Sequence, residues 1–141
     1  MQLENIPFSE IKVGDVASLE RPVKIEDLEL FAEATGDYNP IHLDESFAKQ
    51  TDYGKCIAHG MWVGSLISAL LATKLPGPGG VYLSQSLKFH RPAFVGDILT
   101  VKVTVLAKKR RNILIMECEV TNQHQKMVVK GECMVTTQDQ R

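Results

Sequence analysis

The fold is decided by residues 60–74, Gly-Met-Trp-Val-Gly-Ser-Leu-Ile-Ser-Ala-Leu-Leu-Ala-Thr-Lys. This run has no charged side chain before Lys74, and its apolar residues fall on nearly every side of a helical projection. A helix that is apolar all round is a buried helix, and this one is too short to span a bilayer. The Pro- and Gly-rich stretch 75–80 ends it. We therefore predict a long helix in the middle of the hydrophobic core.

The rest of the chain alternates apolar and polar residues, with the period of two that is typical of strands. Five runs have this pattern: 13–20, 81–89, 99–105, 113–121 and 127–136. Pro22 limits the first strand or places it at a sheet edge. One strand, then helices, then four strands predicts an α+β fold, an antiparallel sheet with the buried helix against one face. Since one helix cannot cover a five-stranded sheet, we expect pairing with a second copy.

Length and charge narrow the classes of function. The chain has 141 residues, 44% of them hydrophobic, and a net charge of −1, so we predict one domain over residues 1–141. This charge provides no general attraction to nucleic acid or to a membrane surface. The only basic run, Lys108-Lys109-Arg110-Arg111, is interpreted as a solvated hairpin end. The alternative is a contact with coenzyme A phosphates or with an acidic acyl carrier protein.

The three cysteines, Cys56, Cys118 and Cys133, match neither a zinc site nor a redox pair. We predict reduced, partly buried thiols with no catalytic role. The first residues lack a basic region followed by an apolar core, so no secretory signal is expected and a cytoplasmic location is predicted.

A turn with reactive side chains follows a short helix that is predicted at about 25–35. Gly36 can end this helix in a left-handed conformation, and Pro40 disfavours helical geometry for the residue before it. The stretch 35–42, Thr-Gly-Asp-Tyr-Asn-Pro-Ile-His, should therefore curl and bring Asp37 close to His42. Turn chemistry alone explains this pattern as a helix stop. The other interpretation is an acid–base pair.

Several blocks of this sequence resemble the MaoC-like, (R)-specific enoyl-CoA hydratases. The stretch Gly36-Asp37-Tyr38-Asn39-Pro40-Ile41-His42 is similar to the hydratase-2 motif of that family. The similarity continues, in the order of the family, at Leu43-Asp44, Phe47-Ala48, Ala58-His59-Gly60-Met61, Tyr82–Phe89, Arg91-Pro92 and Val95-Gly96-Asp97. These blocks span most of the chain.

The resemblance implies a hot-dog fold, in which a five-stranded antiparallel sheet wraps round a central helix at about 60–74. It also implies syn addition of water to a trans-2-enoyl-CoA, giving the (3R)-hydroxyacyl thioester, or the reverse dehydration. Asp37 and His42 would hold the water and supply base and acid, with their roles left open. The backbone N–H of Gly60, at a helix N-terminus, would stabilise the thioester oxyanion.

Other residues receive supporting roles. Asn39 is expected to brace the loop, by hydrogen bonds to Asp37 or His42, and to belong to the substrate site. Ser68 and Leu71 share a helix face and are the candidates for lining the acyl pocket, against simple core packing. His59 is interpreted as a packed or capping histidine. A metal site formed by His42, His59 and an acid is the alternative, but no ligand spacing supports it, so no metal site is predicted.

Three rival functions share these features. The first is a (3R)-hydroxyacyl-[acyl carrier protein] dehydratase of fatty acid synthesis, whose motif would be the same. A thioesterase is disfavoured because the whole motif resembles that of hydratases. The rival from another class is a non-catalytic partner subunit or acyl-thioester binding module. The reaction needs no cofactor beyond the carrier thioester, and we expect a homodimer or higher homo-oligomer.

Overall fold

The computed structural model describes residues 3–139. Within that range the chain forms one short 3₁₀ helix at Phe8–Glu10, four α-helices and six β-strands. The α-helices are α1 Ile25–Thr35, α2 Pro40–Leu43, α3 Glu45–Lys49 and α4 Gly60–Thr73. The strands are β1 Val16–Pro22, β2 Val81–Gln85, β3 Lys88–Phe89, β4 Ile98–Lys109, β5 Ile113–Thr121 and β6 Met127–Thr136.

All strands belong to one antiparallel sheet in the order β1-β4-β5-β6-β2, and β3 also pairs with β6. The long strands β4, β5 and β6 form its centre and are joined by tight turns. In the turn between β4 and β5, Arg111 and Asn112 both have positive φ, 65° and 57°, as tight hairpin turns require. The predicted α+β arrangement is therefore confirmed.

The core lies between the sheet and α4. Along β5, and along β4 as far as Val105, every second side chain is buried, as expected for strands with one face on the core. Helix α4 buries seven of its residues: Trp62, Val63, Gly64, Leu66, Ile67, Leu70 and Leu71. The predicted central helix is thus confirmed. The three cysteines are free, as predicted, and they are fully buried, whereas the sequence suggested partial burial.

The predicted strand 81–89 is in fact two strands, so the sheet has six strands and not five. At the break, the N–H of Ser86 donates to the carbonyl oxygen of Glu132 (2.9 Å), and the Ser86 hydroxyl accepts from the Glu132 N–H (3.0 Å). Gly131 of β6 passes so close that an added Cβ would overlap the Ser86 carbonyl oxygen. This close approach redirects the chain between β2 and β3.

The two edges of the sheet differ. Strand β1 forms one edge and ends at Pro22, where proline limits further pairing. Strand β2 forms the other edge, and Val81 and Leu83 are 53% and 51% exposed there. An exposed apolar edge of this kind favours pairing with another chain. Among the described residues, no helix has the length and apolar character needed to cross a membrane.

Candidate active site

The loop after α1 places Asp37. Gly36 ends the helix in the left-handed conformation (φ 83°) and donates its N–H to the Ala32 carbonyl oxygen (2.7 Å). Asp37 is exposed, and its Oδ1 accepts from the backbone N–H of Asn39 (3.3 Å). Pro40 then opens α2, since proline suits the first position of a helix. The curl is therefore shorter than predicted, because residues 40–42 form a helical turn.

Asn39 braces this loop as the N-cap of α2. Its side-chain oxygen accepts from the N–H of Ile41 (3.2 Å). The side chain thus bonds to the backbone of α2. The sequence suggested hydrogen bonds to Asp37 or His42 instead. Asp44 caps α3 in the same way, accepting from Ser46 and Phe47, as expected from the sequence. A substrate contact of Asn39 stays a prediction.

His42 lies on α2 and is buried, with 8% exposure. Its Nδ1 is 2.7 Å from the carbonyl oxygen of Ile57. Because a carbonyl oxygen only accepts hydrogen bonds, Nδ1 carries the hydrogen and the neutral ring keeps a free lone pair on Nε2. Burial lowers the pKa of His42, and the neighbouring His59 lowers it further, while the Ile57 hydrogen bond and Asp37 oppose this. His42 is thus a neutral ring that presents an acceptor.

His59 joins this pair, which the sequence did not predict. It precedes α4 and is 1% exposed. Its ring stacks on that of His42, with centroids 4.0 Å apart and 29° between the planes. Its Nε2 is 3.0 Å from the carbonyl oxygen of Asp37, so Nε2–H donates. It is packed, as predicted, and it ties the Asp37 loop to the start of α4.

The three side chains are close enough to share one small ligand. A ring nitrogen of His42, a ring nitrogen of His59 and a carboxylate oxygen of Asp37 lie within 4.8 Å of one another. Three atoms at that separation leave a central point about 2.8 Å from each, which is a hydrogen-bond distance. Two imidazoles and a carboxylate within this limit are also a donor set that could hold a metal ion.

Gly60 begins α4 directly beside this cluster. The first N–H groups of a helix have no partner within it, and they carry partial positive charge. Gly60 and His42 line one cavity of about 320 Å³, together with Phe89 and Arg91. A Cβ at position 60 would lie 2.8 Å from the Phe89 ring. Glycine therefore gives the ring room and leaves the helix N-terminus open to the cavity.

Ser68 and Leu71 line a different cavity from His42. Both border a small space of about 50 Å³, and Ser68 also borders one of about 300 Å³ with Gly64 and Leu87. From Gly60 to Ser68 the helix rises about 12 Å. The two residues border the same small space, but a substrate would have to reach about two to three turns along α4 to touch them, and their lining of the acyl pocket stays a prediction.

The basic run lies far from this site. It starts at the end of β4, whereas the cavity with His42 is near the residues that precede β4, where Ile57 pairs with Phe94. A strand of 12 residues spans about 40 Å. Arg91 lines the cavity itself. Arg91 belongs to the Arg91-Pro92 block that resembles the family, but nothing in the sequence distinguished this arginine as a site residue.

A sheet wrapped round one long buried helix, with the site where that helix begins, defines the hot-dog class of proteins. Residues 9–128 match the MaoC like domain family, and the chain belongs to this family.

Proteins of named function are similar to this chain over most of their own length. The chain is 44% identical to a 3-hydroxybutyryl-CoA dehydratase of Methylorubrum extorquens, over 95% of this chain and 85% of the relative. It is 41% identical to an (R)-specific enoyl-CoA hydratase of Rhodospirillum rubrum, over 91% and 89%. The structure of the R-hydratase PhaJ1 from Pseudomonas aeruginosa superposes with a TM-score of 0.95 at 45% identity, covering 98% and 89% of the two chains. The predicted hot-dog fold is thereby confirmed.

Proposed function

We propose that this protein is an (R)-specific enoyl-CoA hydratase, a hydro-lyase that adds water to a trans-2-enoyl-CoA to give the (3R)-hydroxyacyl-CoA, and that also catalyses the reverse. The relatives with 41% and 44% identity carry hydratase and dehydratase names, which supports the class of reaction. The observation that carries the proposal is the free Nε2 of a neutral, buried His42 next to Asp37, in one cavity with the start of α4.

The pair would activate one water molecule. Water donates its hydrogens to His42 Nε2 and to the Asp37 carboxylate, which leaves an oxygen lone pair for C3 of the substrate. As the O–C3 bond forms, the C2=C3 π electrons move towards the thioester oxygen. One proton passes from the water to the pair, and one passes from the pair to C2, so the pair ends as it began. Because both groups lie on one side of the substrate, addition is syn.

The thioester oxygen gains negative charge during this step. The backbone N–H of Gly60 is proposed to donate to it, supported by the open N-terminus of α4 in the same cavity as His42. A donor that is aimed at developing charge contributes a few kcal/mol in the transition state. Asn39 would keep Asp37 in place through the cap of α2, and Ser68 and Leu71 would meet only the far end of a long acyl chain.

Besides water, the substrate is the only small molecule that this reaction needs, carried as a coenzyme A thioester. We propose a homodimer, supported by the exposed apolar edge of β2. Light scattering of the purified protein tests this point, and a mass equal to one chain at all concentrations would contradict it.

The activity is tested by the loss of enone absorbance when the purified protein meets crotonyl-CoA. Asp37→Asn and His42→Gln keep the side-chain size and should reduce the rate by at least about a hundredfold. Asp52→Asn and His124→Gln, both in exposed turns, are matched controls that should keep full activity. Chiral analysis of the product should give the (R) alcohol. An (S) product would contradict the proposal.

The second candidate is dehydration of a (3R)-hydroxyacyl-[acyl carrier protein]. A mitochondrial dehydratase of that name from Arabidopsis thaliana is 32% identical, over 86% of this chain and 75% of the relative. Turnover of the carrier-protein thioester together with inertness towards crotonyl-CoA would favour it. Inertness of the folded protein towards both thioesters would favour a non-catalytic partner subunit.

A further inference from the structure

Asp97 is a buried carboxylate in the turn that precedes β4. It is 9% exposed, and both of its oxygens accept hydrogen bonds. Oδ2 accepts from the N–H of Phe94 (2.9 Å), and Oδ1 accepts from Nε2 of Gln123 (2.9 Å). The side-chain oxygen of Gln123 in turn accepts from the N–H of Ile98 (3.0 Å). Because a buried carboxylate is costly unless it is hydrogen-bonded, these partners explain how the turn can hold one.

The bond to Phe94 is the first of a series that leads to the catalytic histidine. The Phe94 N–H belongs to the peptide group whose carbonyl is that of Ala93, and this carbonyl accepts from the N–H of Ala58 (2.7 Å). The Ala58 N–H belongs to the peptide group whose carbonyl is that of Ile57. That carbonyl is 2.7 Å from Nδ1 of His42. Three hydrogen bonds and two peptide groups thus connect the carboxylate in the turn to the imidazole ring.

We propose that Asp97 is a positioning residue of the hydratase, which fixes the direction of the Ile57 carbonyl and, through it, the tautomer of His42. This inference rests on the proposed function. A peptide group is planar and turns as one body, so holding its N–H end also fixes the carbonyl at its other end. Successive hydrogen bonds of this kind also strengthen one another. With Nδ1–H held in this way, Nε2 stays the acceptor of the neutral ring.

The bond to Ile57 also affects the basicity of His42. Burial lowers the pKa of His42, and the Ile57 hydrogen bond opposes this effect. Weakening the bond should therefore lower the pKa further, whereas water entering a loosened site would relieve burial and raise it. Titratable groups that also face the ring or line its cavity are Asp37, His59, Tyr53, His90 and Arg91. A substitution at position 97 changes none of them.

A second turn with the same sequence provides a matched control. Val13-Gly14-Asp15 repeats Val95-Gly96-Asp97, and the two glycines have φ of 94° and 100°. Asp15 likewise accepts from the N–H three residues before it, that of Lys12 (2.8 Å), and donates its own N–H to the Lys12 carbonyl (3.0 Å). The two turns flank opposite ends of β1, whose seven residues span about 23 Å. The control therefore has the same local geometry at a distance from His42.

Two variants test the connection without changing the size of the side chain. In Asp97→Asn one oxygen is replaced by an amide group, which can only donate, although both partners of Asp97 are donors. One of the two bonds is therefore lost. In Asp97→Asn/Gln123→Glu the new amide group can donate to the new carboxylate, whose other oxygen still accepts from the Ile98 N–H. Every hydrogen bond can form again, and the net charge equals that of the wild type.

We expect Asp97→Asn to lower kcat for crotonyl-CoA about tenfold, with a smaller change in KM, because small misplacements of a catalytic group are costly. The acid limb of kcat/KM should move to lower pH. The double variant should recover kcat to within about threefold of the wild type and restore the acid limb, as coupled partners do. Asp15→Asn should leave both quantities unchanged.

Four outcomes would overturn the proposal: wild-type kinetics in Asp97→Asn, an equal loss in Asp15→Asn, no recovery in the double variant, or an acid limb that moves to higher pH. The last outcome would mean that the substitution merely loosens the site. Melting temperatures verify that each variant is folded.

A readout without substrate comes from NMR of protein with ¹⁵N-labelled histidine. His42 should carry its hydrogen on Nδ1 in the wild type and in the double variant, and part of the population should move to the Nε2 tautomer in Asp97→Asn. An unchanged tautomer in Asp97→Asn would overturn the role of Asp97 even in an active enzyme. An inactive wild-type protein that shows the tautomer change would instead overturn the proposed function and support the connection from Asp97 to His42.

Discussion

The protonation state of His42 depends on contacts that shift its pKa in opposite directions. Burial and the neighbouring ring of His59 favour the neutral form, and the Ile57 carbonyl and Asp37 favour the charged form. The net result is a pKa below the ordinary value of 6.5. The ring is then an acceptor over the whole neutral range, which an enzyme that begins by taking a proton from water requires.

This state predicts the pH dependence of the reaction. Protonated His42 cannot take a proton, so kcat/KM should fall as pH falls through the lowered pKa and should level off above that pKa. The free energy of unfolding should depend on pH in the same direction as the rate. The unfolded chain binds a proton at His42 more readily than the folded one, so the free energy of unfolding should fall as pH drops below 6.5.

Rate profiles with crotonyl-CoA and urea unfolding between pH 5 and 8 measure both effects. His42→Gln is the control for stability, because the variant has no proton to bind at this position and should lose less stability in acid. An acid limb in the rate that lies above pH 6.5 would contradict the neutral assignment.

Gly60 offers a second test at the level of one residue. In Gly60→Ala the new methyl group would meet the Phe89 ring at 2.8 Å, so the ring must move into the cavity where the thioester would bind. We expect kcat/KM to fall about tenfold or more, since small misplacements at a reacting centre are costly. Stability should change little, because alanine is a better helix former than glycine.

Gly64→Ala is the matched control for this change. It adds a methyl group one turn further along the same helix, 2.9 Å from a Leu87 methyl. The crotonyl-CoA rate should remain closer to that of the wild type than in Gly60→Ala. Equal losses in the two variants would argue that the helix, and not the thioester contact, is disturbed.

Among the elements, the break between β2 and β3 controls the space along α4. Phe89 stands over Gly60, in the cavity with His42, and Leu87 stands over Gly64, beside the cavity of about 300 Å³ that also reaches Ser68. These two side chains therefore separate the site from the space beyond it. A short acyl chain fits before Leu87, and a longer one must pass it.

Leu87→Ala should therefore broaden the acyl-chain range. Removing the side chain joins the two spaces, so kcat/KM for an eight-carbon enoyl-CoA should rise about tenfold relative to crotonyl-CoA, on the scale of a few buried methylene groups. Leu83→Ala, on the exposed edge of β2, should leave the ratio unchanged. The ratio is measured from initial rates with both substrates, and an unchanged ratio in Leu87→Ala would contradict the role of this side chain.

Sequence patterns predicted the helices and strands more accurately than the junctions between them. The alternation in 113–121 shows which face of that strand is buried, and the uncharged run at 60–74 indicates a helix that is buried all round. The bounds of β5 and α4 were therefore predicted to within a residue. The break at Ser86 was missed because alternation continues through it, while the ladder is interrupted by the close approach of Gly131. His59 lies 22 residues from Asp37, and nothing in its own neighbours indicates that contact.

At the scale of the whole molecule, the charges are distributed unevenly around the site. Arg91 lines the cavity with His42, whereas the run 108–111 lies at the far end of β4. A carrier phosphate leaving that cavity would meet Arg91 first. The sequence drew attention to the run because it holds four adjacent cations, but the direction of β4 takes it away from the site.

Arg91→Ala should raise KM for crotonyl-CoA about tenfold while kcat changes little, since a phosphate contact is the same in ground and transition states. Arg110→Ala removes the same charge from the exposed hairpin and should leave KM unchanged. Steady-state kinetics at low ionic strength provide the comparison. A larger effect at position 110 would mean that the hairpin of a second copy reaches the site.

The hydrogen bond from His42 to the backbone of Ile57 has a consequence for evolution. The tautomer of the ring is determined by a main-chain carbonyl, which every amino acid at position 57 would supply. That backbone is itself fixed by bonds to the segment before β4, such as Ala58 N–H to the Ala93 carbonyl (2.7 Å). The Ile57 side chain lines the cavity, so substitution at this position can change substrate preference. The hydrogen bond from His42 to the main-chain carbonyl, which sets the tautomer, is kept by every substitution.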